Sequence, residues 1–145
     1  MIKNLLQNYI KDYKITLTEN QYEQFQKYFE LLVEWNEKMN LTAITDESGV
    51  ALKHFADSIS LLNFVDIPQN SSLADVGTGA GFPGVVLKIA RPDIKLTLID
   101  SLNKRLVFLG EVCAQLGIEA ELIHSRAEDG ARDEKLRESF DFVAS

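Results

Sequence analysis

The residues best suited to chemistry lie in one segment, where an aspartate precedes a cluster of glycines. Asp75 stands two residues before the first of four glycines within eight positions, which are Gly77, Gly79, Gly81 and Gly84. Glycine tolerates positive φ and lets a ligand approach the backbone, and a helix that follows such a loop offers unpaired N–H groups. The segment therefore predicts a loop that binds a small molecule.

Two classes of ligand fit the spacing of these glycines. Gly79, Gly81 and Gly84 satisfy the G-x-G-x-x-G spacing of dinucleotide-binding loops. Asp75 favours a different ligand, because an acidic group suits the cationic amino end of S-adenosylmethionine and ill suits a pyrophosphate. D-x-G-x-G-x-G is the usual form of the first methyltransferase motif. The pattern favours a methyl donor and leaves a nicotinamide-dependent oxidoreductase as the alternative.

Asp100 closes the next predicted strand after the loop. Open α/β sheets bind ligands at the carboxyl ends of their strands, and a carboxylate there can accept both ribose hydroxyls of an adenosine. After the following strand comes Arg126-Ala127-Glu128, where an adenine edge would be expected. Asp100 thus supports adenosine binding without choosing between the two ligand classes.

The elements that position these residues alternate between strands and helices. Short β-rich runs occur at 73–76, 94–100, 118–124 and 140–144, with helical patterns ending at about Ala90 and running from about Asn103 to Leu116. Alternation at this spacing predicts βαβ units and therefore a parallel sheet.

The first 65 or so residues have helical patterns instead. One amphipathic helix is predicted from Leu17 to Met39, with Thr18 and Gln21 at the spacing of a capping box. A second is predicted from about Ser48 to Phe64, with Leu52, Phe55, Ile59 and Leu62 on one face. These helices predict an N-terminal extension to the sheet.

Composition excludes several classes of protein. The net charge of −7 argues against a generic nucleic-acid binder, so any RNA contact must be local. Cys113 is the only cysteine, and the two histidines lie far apart in sequence, so no disulfide and no metal site is expected. No apolar run approaches the roughly 20 residues of a membrane span. A soluble, cytoplasmic protein is predicted.

Several segments are more specific than the fold. WNEKMNLTAI (35–44), KHFADSISLL (53–62), LADVGTGAGFPG (73–84), RPD (91–93), LTLIDSLNKRLVFL (96–109) and SRAED (125–129) follow one another in the chain. In sequence and order they resemble the glucose-inhibited division B family, with Lys53 where arginine is more usual. The resemblance covers the chain from about Leu31 to Ser145.

The resemblance implies an S-adenosylmethionine-dependent enzyme that methylates N7 of a guanine in 16S ribosomal RNA, free or in the small ribosomal subunit. It implies a class I, Rossmann-like methyltransferase sheet with a helical extension at 1–65 and the first part of the donor-binding domain at 66–145. Its fourth strand should lie beside the first, and the later strands should be absent because the chain is truncated at its C-terminus. The full-length protein is expected to be a monomer. A donor-binding fragment without activity is a further alternative.

The resemblance also assigns site residues. Gly77 and Phe82 should contact the donor through the glycine loop, together with the rest of the motif, and Ala127 and Glu128 should contact its adenosine end. Guanine N7 carries a free lone pair, so no general base is required. A nearby carboxylate could stabilise the positive charge that the guanine gains. Asp57 is the candidate for this catalytic role.

Overall fold

The computed structural model describes residues 1–126 and 139–145. Its helices are α1 (Ile2–Tyr9), α2 (Glu19–Asn36), α3 (Glu47–Gly49), a π-helical segment (Val50–Ala56), α4 (Asp57–Phe64), α5 (Gly84–Ala90) and α6 (Asn103–Leu116). Its strands are β1 (Ser72–Val76), β2 (Lys95–Asp100), β3 (Ala120–His124) and β4 (Phe142–Ala144). The predicted α/β class is confirmed, with helices first and alternating elements after them.

The described strands form one parallel sheet in the order β3-β2-β1-β4. The predicted position of β4 beside β1 is therefore confirmed. Parallel strands aligned in this way bring their carboxyl ends to one edge, where β1 ends at Val76 and β2 ends at Asp100. The glycine loop leaves the sheet at this edge.

Helix α2 begins as its sequence predicts. Thr18 accepts a hydrogen bond from the Gln21 amide, and the Gln21 side chain accepts one from the Thr18 amide, so the capping box is complete. The helix ends at Asn36, earlier than the predicted Met39. Its buried residues pack in part against α5 and α6 in the sheet half of the chain.

The second predicted helix contains a π-helical stretch that changes which residues it buries. Phe55 and Ile59 are fully buried, whereas Leu52 is 45% exposed. The prediction that Leu52 shares the buried face was wrong, because the wider π turn spaces buried positions four to five residues apart rather than three to four. Residues on such a segment lie at different angles around the helix axis from those that α-helical spacing predicts.

One hydrophobic cluster runs from the first helices into the sheet half of the chain, from Ile2 to Leu116. Polar side chains also cross between the two parts. The Gln21 amide donates to the carbonyls of Ile89 and Ala90 at the end of α5, and Gln24 donates to the carbonyl of Leu116 at the end of α6. The division between residues 65 and 66 stays a prediction, and the packing across it is continuous.

Helix α6 has the bounds that its sequence predicts, and Gly117 ends it in the left-handed conformation with φ of 67°.

Among the described residues, no helix combines the length and the apolar character needed to cross a membrane.

Candidate functional site

The glycine loop is fixed to the sheet by backbone hydrogen bonds. The amides of Gly77 and Thr78 both donate to the carbonyl of Ile99, which lies on β2. The amides of Gly81 and Phe82 donate to the carbonyl of Thr78, which closes a turn inside the loop. The loop therefore has one defined path from β1 to α5.

Asp75 lies beneath the loop and is 1% exposed. Its Oδ2 accepts hydrogen bonds from the Thr78 hydroxyl and from the amide of Gly84, both at 2.8 Å. Its Oδ1 has no hydrogen-bond partner among the described residues, and it is not sealed from solvent. One oxygen thus holds the loop, and the other is available to a ligand.

Burial raises the pKa of Asp75 from 3.8 to about 6. The hydrogen bonds from Thr78 and Gly84 oppose this rise, and the negative charge of Asp100 adds to it. A cation bound beside Asp75 would therefore be favourable, because its positive charge would stabilise the ionised form of the carboxylate.

Asp100, at the end of β2, is also 1% exposed. Its Oδ2 accepts from the amide of Gly79 at 2.8 Å, and its Oδ1 accepts from the amide of Leu102 at 2.9 Å and from Arg105 at 3.4 Å. The sequence predicts a ribose ligand and gives no sign of this internal role. A carboxylate has about four acceptor positions, so these bonds do not exhaust it.

The four glycines of the motif form two pairs with different surroundings. Gly77 and Gly79 have φ of +71° and +57°, and a Cβ at either position would meet no atom of the described residues within 4 Å. A Cβ on Gly81 would lie 2.3 Å from the Tyr28 hydroxyl oxygen, and one on Gly84 would lie 2.7 Å from Asp75 Oδ2. We call Gly77–Gly79 the open half of the loop and Gly81–Gly84 the packed half.

Aromatic side chains from the helical extension contact the packed half. Tyr28 donates its hydroxyl proton to the carbonyl of Ala80 at 2.6 Å. Burial raises the pKa of Tyr28 well above its usual value, so the hydroxyl keeps the proton that it donates. The ring of Tyr28 packs on Phe55 and Phe82 at centroid distances of 5.3 and 5.7 Å.

His54 also packs on Phe82. The two rings are stacked, with centroids 4.3 Å apart and planes 9° from parallel, and Thr42 Oγ1 lies 2.8 Å from His54 Nε2. Burial lowers the pKa of His54, and the charge of Asp57 opposes that effect. His54 is therefore neutral near pH 7 and packs as an aromatic ring.

The structure brings together most of the predicted site residues. Asp75, the three glycines at 77, 79 and 81, Phe82 and Asp100 all lie in the loop or at the strand ends beside it. Asp57 is exposed at the first position of α4, and its charge acts on His54, which stacks on Phe82 of the loop. Ala127 and Glu128 lie outside the described residues.

The sequence prediction missed Tyr28. A signal was available, because Tyr28 follows Phe25 by three residues on the apolar face of α2, and a buried tyrosine hydroxyl needs a hydrogen-bond partner. The sequence of the helix could not predict that this partner is the carbonyl of Ala80 in the glycine loop.

Comparison with known proteins identifies relatives of this chain. The family model of GidB, described as rRNA small subunit methyltransferase G, matches residues 21–145. The chain is 52% identical over 136 residues to the ribosomal RNA small subunit methyltransferase G of Desulforamulus reducens, covering 93% of this chain and 57% of that protein. It is 55% identical over 132 residues to the protein of the same name from Thermoanaerobacter sp. strain X514, covering 90% and 55% respectively. The chain spans a little over half the length of these relatives.

Solved structures with a similar fold are also methyltransferases. A protein-L-isoaspartate O-methyltransferase superposes with a TM-score of 0.57 at 14% identity, over 87% of this chain and 42% of its own. A second, described as a protein-L-isoaspartate methyltransferase of Plasmodium falciparum in complex with S-adenosyl-L-homocysteine, gives a TM-score of 0.54 at 18% identity, over 97% and 71%. These show that the sheet has the class I methyltransferase fold. The match over residues 21–145, together with relatives that share half of their residues with it, shows that the chain belongs to the rRNA small subunit methyltransferase G family.

Proposed function

We propose that this protein binds S-adenosylmethionine at the carboxyl edge of its sheet and directs the methyl group to N7 of a guanine in 16S ribosomal RNA. The open half of the glycine loop carries the proposal. No described residue fills the space that a side chain at Gly77 or Gly79 would take, and this space lies beside two buried carboxylates. The family names RNA of the small subunit as the substrate of its members, and one structural neighbour holds the demethylated donor.

The residues of this edge fit the parts of the donor. The free Oδ1 of Asp75 suits the cationic amino group, and ionisation of Asp75 would then be favoured despite its burial. Asp100 can accept a ribose hydroxyl if the long contact from Arg105 yields, while it keeps the amide of Gly79 in place. Ala127 and Glu128 are proposed to contact the adenosine end, on the basis of the family motif alone.

The packed half supports this arrangement from below. Gly81 gives room to the Tyr28 hydroxyl, and we assign it a donor-site role through the shape of the loop. Phe82 is half-buried between Tyr28 and His54, and the remaining part of its ring is proposed to contact the donor.

The proposed methyl transfer does not require the protein to remove a proton from the guanine. S-adenosylmethionine supplies a methyl group on a positively charged sulfur, and guanine N7 offers a lone pair without a proton to remove. The sheet edge then serves to hold the reacting groups in line, and such alignment can lower a barrier by as much as ~7–11 kcal/mol. Asp57 is the proposed carboxylate that stabilises the positive charge gained by the guanine.

The test is transfer of a radiolabelled methyl group to small ribosomal subunits that lack this modification. We expect label in 7-methylguanosine after digestion of the 16S RNA. Label in another nucleoside would contradict the position, and donor binding without any transfer would support the alternative of a donor-binding fragment.

The role of Asp57 has its own test. Asp57→Asn should reduce the rate of transfer about tenfold while leaving the Kd of the donor unchanged, because the charge acts only in the transition state. Asp66→Asn, which neutralises another exposed carboxylate beyond the end of α4, is the matched control. An unchanged rate in Asp57→Asn would exclude the catalytic role.

A further inference from the structure

Nearly every group that fixes the glycine loop comes from the sheet half of the chain. Ile99, Asp75 and Asp100 hold the amides or hydroxyls at Gly77, Thr78, Gly79 and Gly84. The carbonyl of Ala80 is different, since its partner lies on α2, 52 residues earlier in the chain. The helical extension therefore supplies one of the hydrogen bonds that define the loop.

The bond from Tyr28 to Ala80 is closely surrounded. Tyr28 is fully buried, and its ring contacts those of Phe55 and Phe82, which also contact each other. Ala80 is 5% exposed, so water has little access to its carbonyl. Loss of the hydroxyl would leave this acceptor without its donor, and the loop would have to move to find another.

Gly81 lies next to the Tyr28 hydroxyl that makes this bond. A Cβ there would stand 2.3 Å from the Tyr28 hydroxyl oxygen, closer than any other atom near that position. The third glycine of the motif is therefore favoured both by its φ of +103° and by the Tyr28 hydroxyl in its side-chain space. Tyr28 and Gly81 form a matched pair across the boundary between the helices and the loop.

We propose that Tyr28 is a positioning residue for the donor site. Its hydroxyl fixes the carbonyl of Ala80, and this orients the peptide that joins Ala80 to Gly81, where the open half meets the packed half. The inference rests on the proposed function, in which the open half lies against the donor. It assigns to the helical extension a direct part in donor binding.

Tyr28→Phe removes the hydroxyl and keeps the ring. We expect the Kd for S-adenosylhomocysteine, measured by calorimetry, to rise about tenfold, the size expected when a buried acceptor loses its donor. Amide hydrogen exchange at Gly81 and Phe82, whose amides bond within the loop, should accelerate while exchange within α2 and α6 stays the same.

Tyr22→Phe is the matched control, because Tyr22 is a buried tyrosine on the same helix whose hydroxyl has no hydrogen bond to another described residue. It should change neither the Kd nor the exchange of the loop amides. If Tyr28→Phe lowered the melting temperature but left both readouts equal to those of the control, Tyr28 would be a core residue only, and the inference would be overturned.

A double-mutant cycle separates contact from general damage. Gly81→Ala introduces a Cβ that collides with the hydroxyl and also adopts an unfavourable φ of +103°. The φ cost and the close contacts with methyl groups of Val85 (2.9 Å) and Leu109 (3.0 Å) are the same in either background, so Tyr28→Phe should relieve only the collision with the hydroxyl. We expect the double variant to exchange at Phe82 no faster than Gly81→Ala alone, whereas additive effects would count against the pairing.

The measurements distinguish a failure of the proposed function from a failure of the role proposed for Tyr28. If the unsubstituted chain bound no S-adenosylhomocysteine, the donor site itself would be wrong, and the exchange measurements would then decide whether Tyr28 positions the loop. If the chain bound the compound and Tyr28→Phe bound it equally well, the proposed function would stand and the role of Tyr28 would fall.

Discussion

The open and packed halves of the glycine loop contain the same residue type for different reasons. In the open half, glycine is required by positive φ, and none of the described residues fills the space beside it. In the packed half, another group already fills the side-chain space: the Tyr28 hydroxyl at Gly81, whose φ is positive as well, and Asp75 with Leu98 at Gly84. Substitutions in the first half should therefore affect ligand binding, and those in the second should affect folding.

The comparison also explains why a motif match alone is ambiguous. The dinucleotide spacing and the methyltransferase spacing share Gly79 and Gly81, one from each half. Only the surroundings of each glycine show which of them can face a ligand. Asp75 connects the halves, since the same carboxylate oxygen bonds the Thr78 hydroxyl and the amide of Gly84.

The largest effect is expected in the packed half. Gly84→Ala would place a Cβ 2.7 Å from Asp75 Oδ2 and 2.8 Å from a Leu98 methyl, both in the buried core. We expect the free energy of unfolding to fall by about 3 kcal/mol or more, as for severe overpacking. Urea denaturation would measure it.

Gly110→Ala provides the control, because a Cβ there meets only a Leu122 methyl, at 3.5 Å, and alanine favours a helix interior. It should be neutral or slightly stabilising. Equal losses in the two variants would show that Gly84 is not specially packed.

The carboxylate that joins the halves should make stability depend on pH. Because burial raises the pKa of Asp75 from 3.8 to about 6, the folded state keeps a proton that the unfolded state releases. Its contribution is fully present below about pH 4 and is lost as the pH rises through about 6, up to about 3 kcal/mol.

Asp75→Asn cannot ionise and should not show this loss. The free energy of unfolding of the unsubstituted protein should therefore fall relative to that of Asp75→Asn between pH 4 and pH 7, measured by denaturation at constant ionic strength. Parallel pH profiles would mean that Asp75 has an ordinary pKa.

In the open half, Gly79→Val should act mainly on the ligand. The branched side chain resists a φ of +57° and fills the space proposed for the donor, so the Kd for S-adenosylhomocysteine should rise more than about a hundredfold. Gly117→Val is a close match in backbone strain, since Gly117 has a φ of +67° at the end of α6 and a Cβ there also meets no described residue within 4 Å. It should lose similar stability and no affinity. Unchanged affinity in Gly79→Val would place the ligand elsewhere.

The smallest effect is expected at Asp100, which anchors the open half through Gly79. Asp100→Ala should weaken S-adenosylmethionine and S-adenosylhomocysteine equally, roughly tenfold, because both carry the ribose. Asp100→Asn should lose less. The control is Asp93→Ala, whose carboxylate pairs with Arg91 in the turn before β2. Preferential loss of one ligand would rule out a ribose contact.

Local signals in the sequence predicted much of this structure. Helix α6 and the capping box of α2 depend on neighbouring residues, and both are where they were expected. The position of Leu52 was not predictable, because a π-helical turn leaves no mark in the spacing of apolar residues. The internal bonds of Asp100 and the reach of Tyr28 to Ala80 depend on how distant elements pack, and no local pattern encodes them.

The hydrogen bonds from Gln21 to the end of α5 have a consequence for the order of events during synthesis. The carbonyls of Ile89 and Ala90 are made 68 and 69 residues after Gln21. At a translation rate of about 5–20 residues per second, helix α2 would wait roughly 3–14 seconds for these partners. During that interval the apolar face of α2 can pack only against segments that precede α5 in the chain. A nascent chain stalled before α5 should therefore be more sensitive to protease in α2 than one stalled after it.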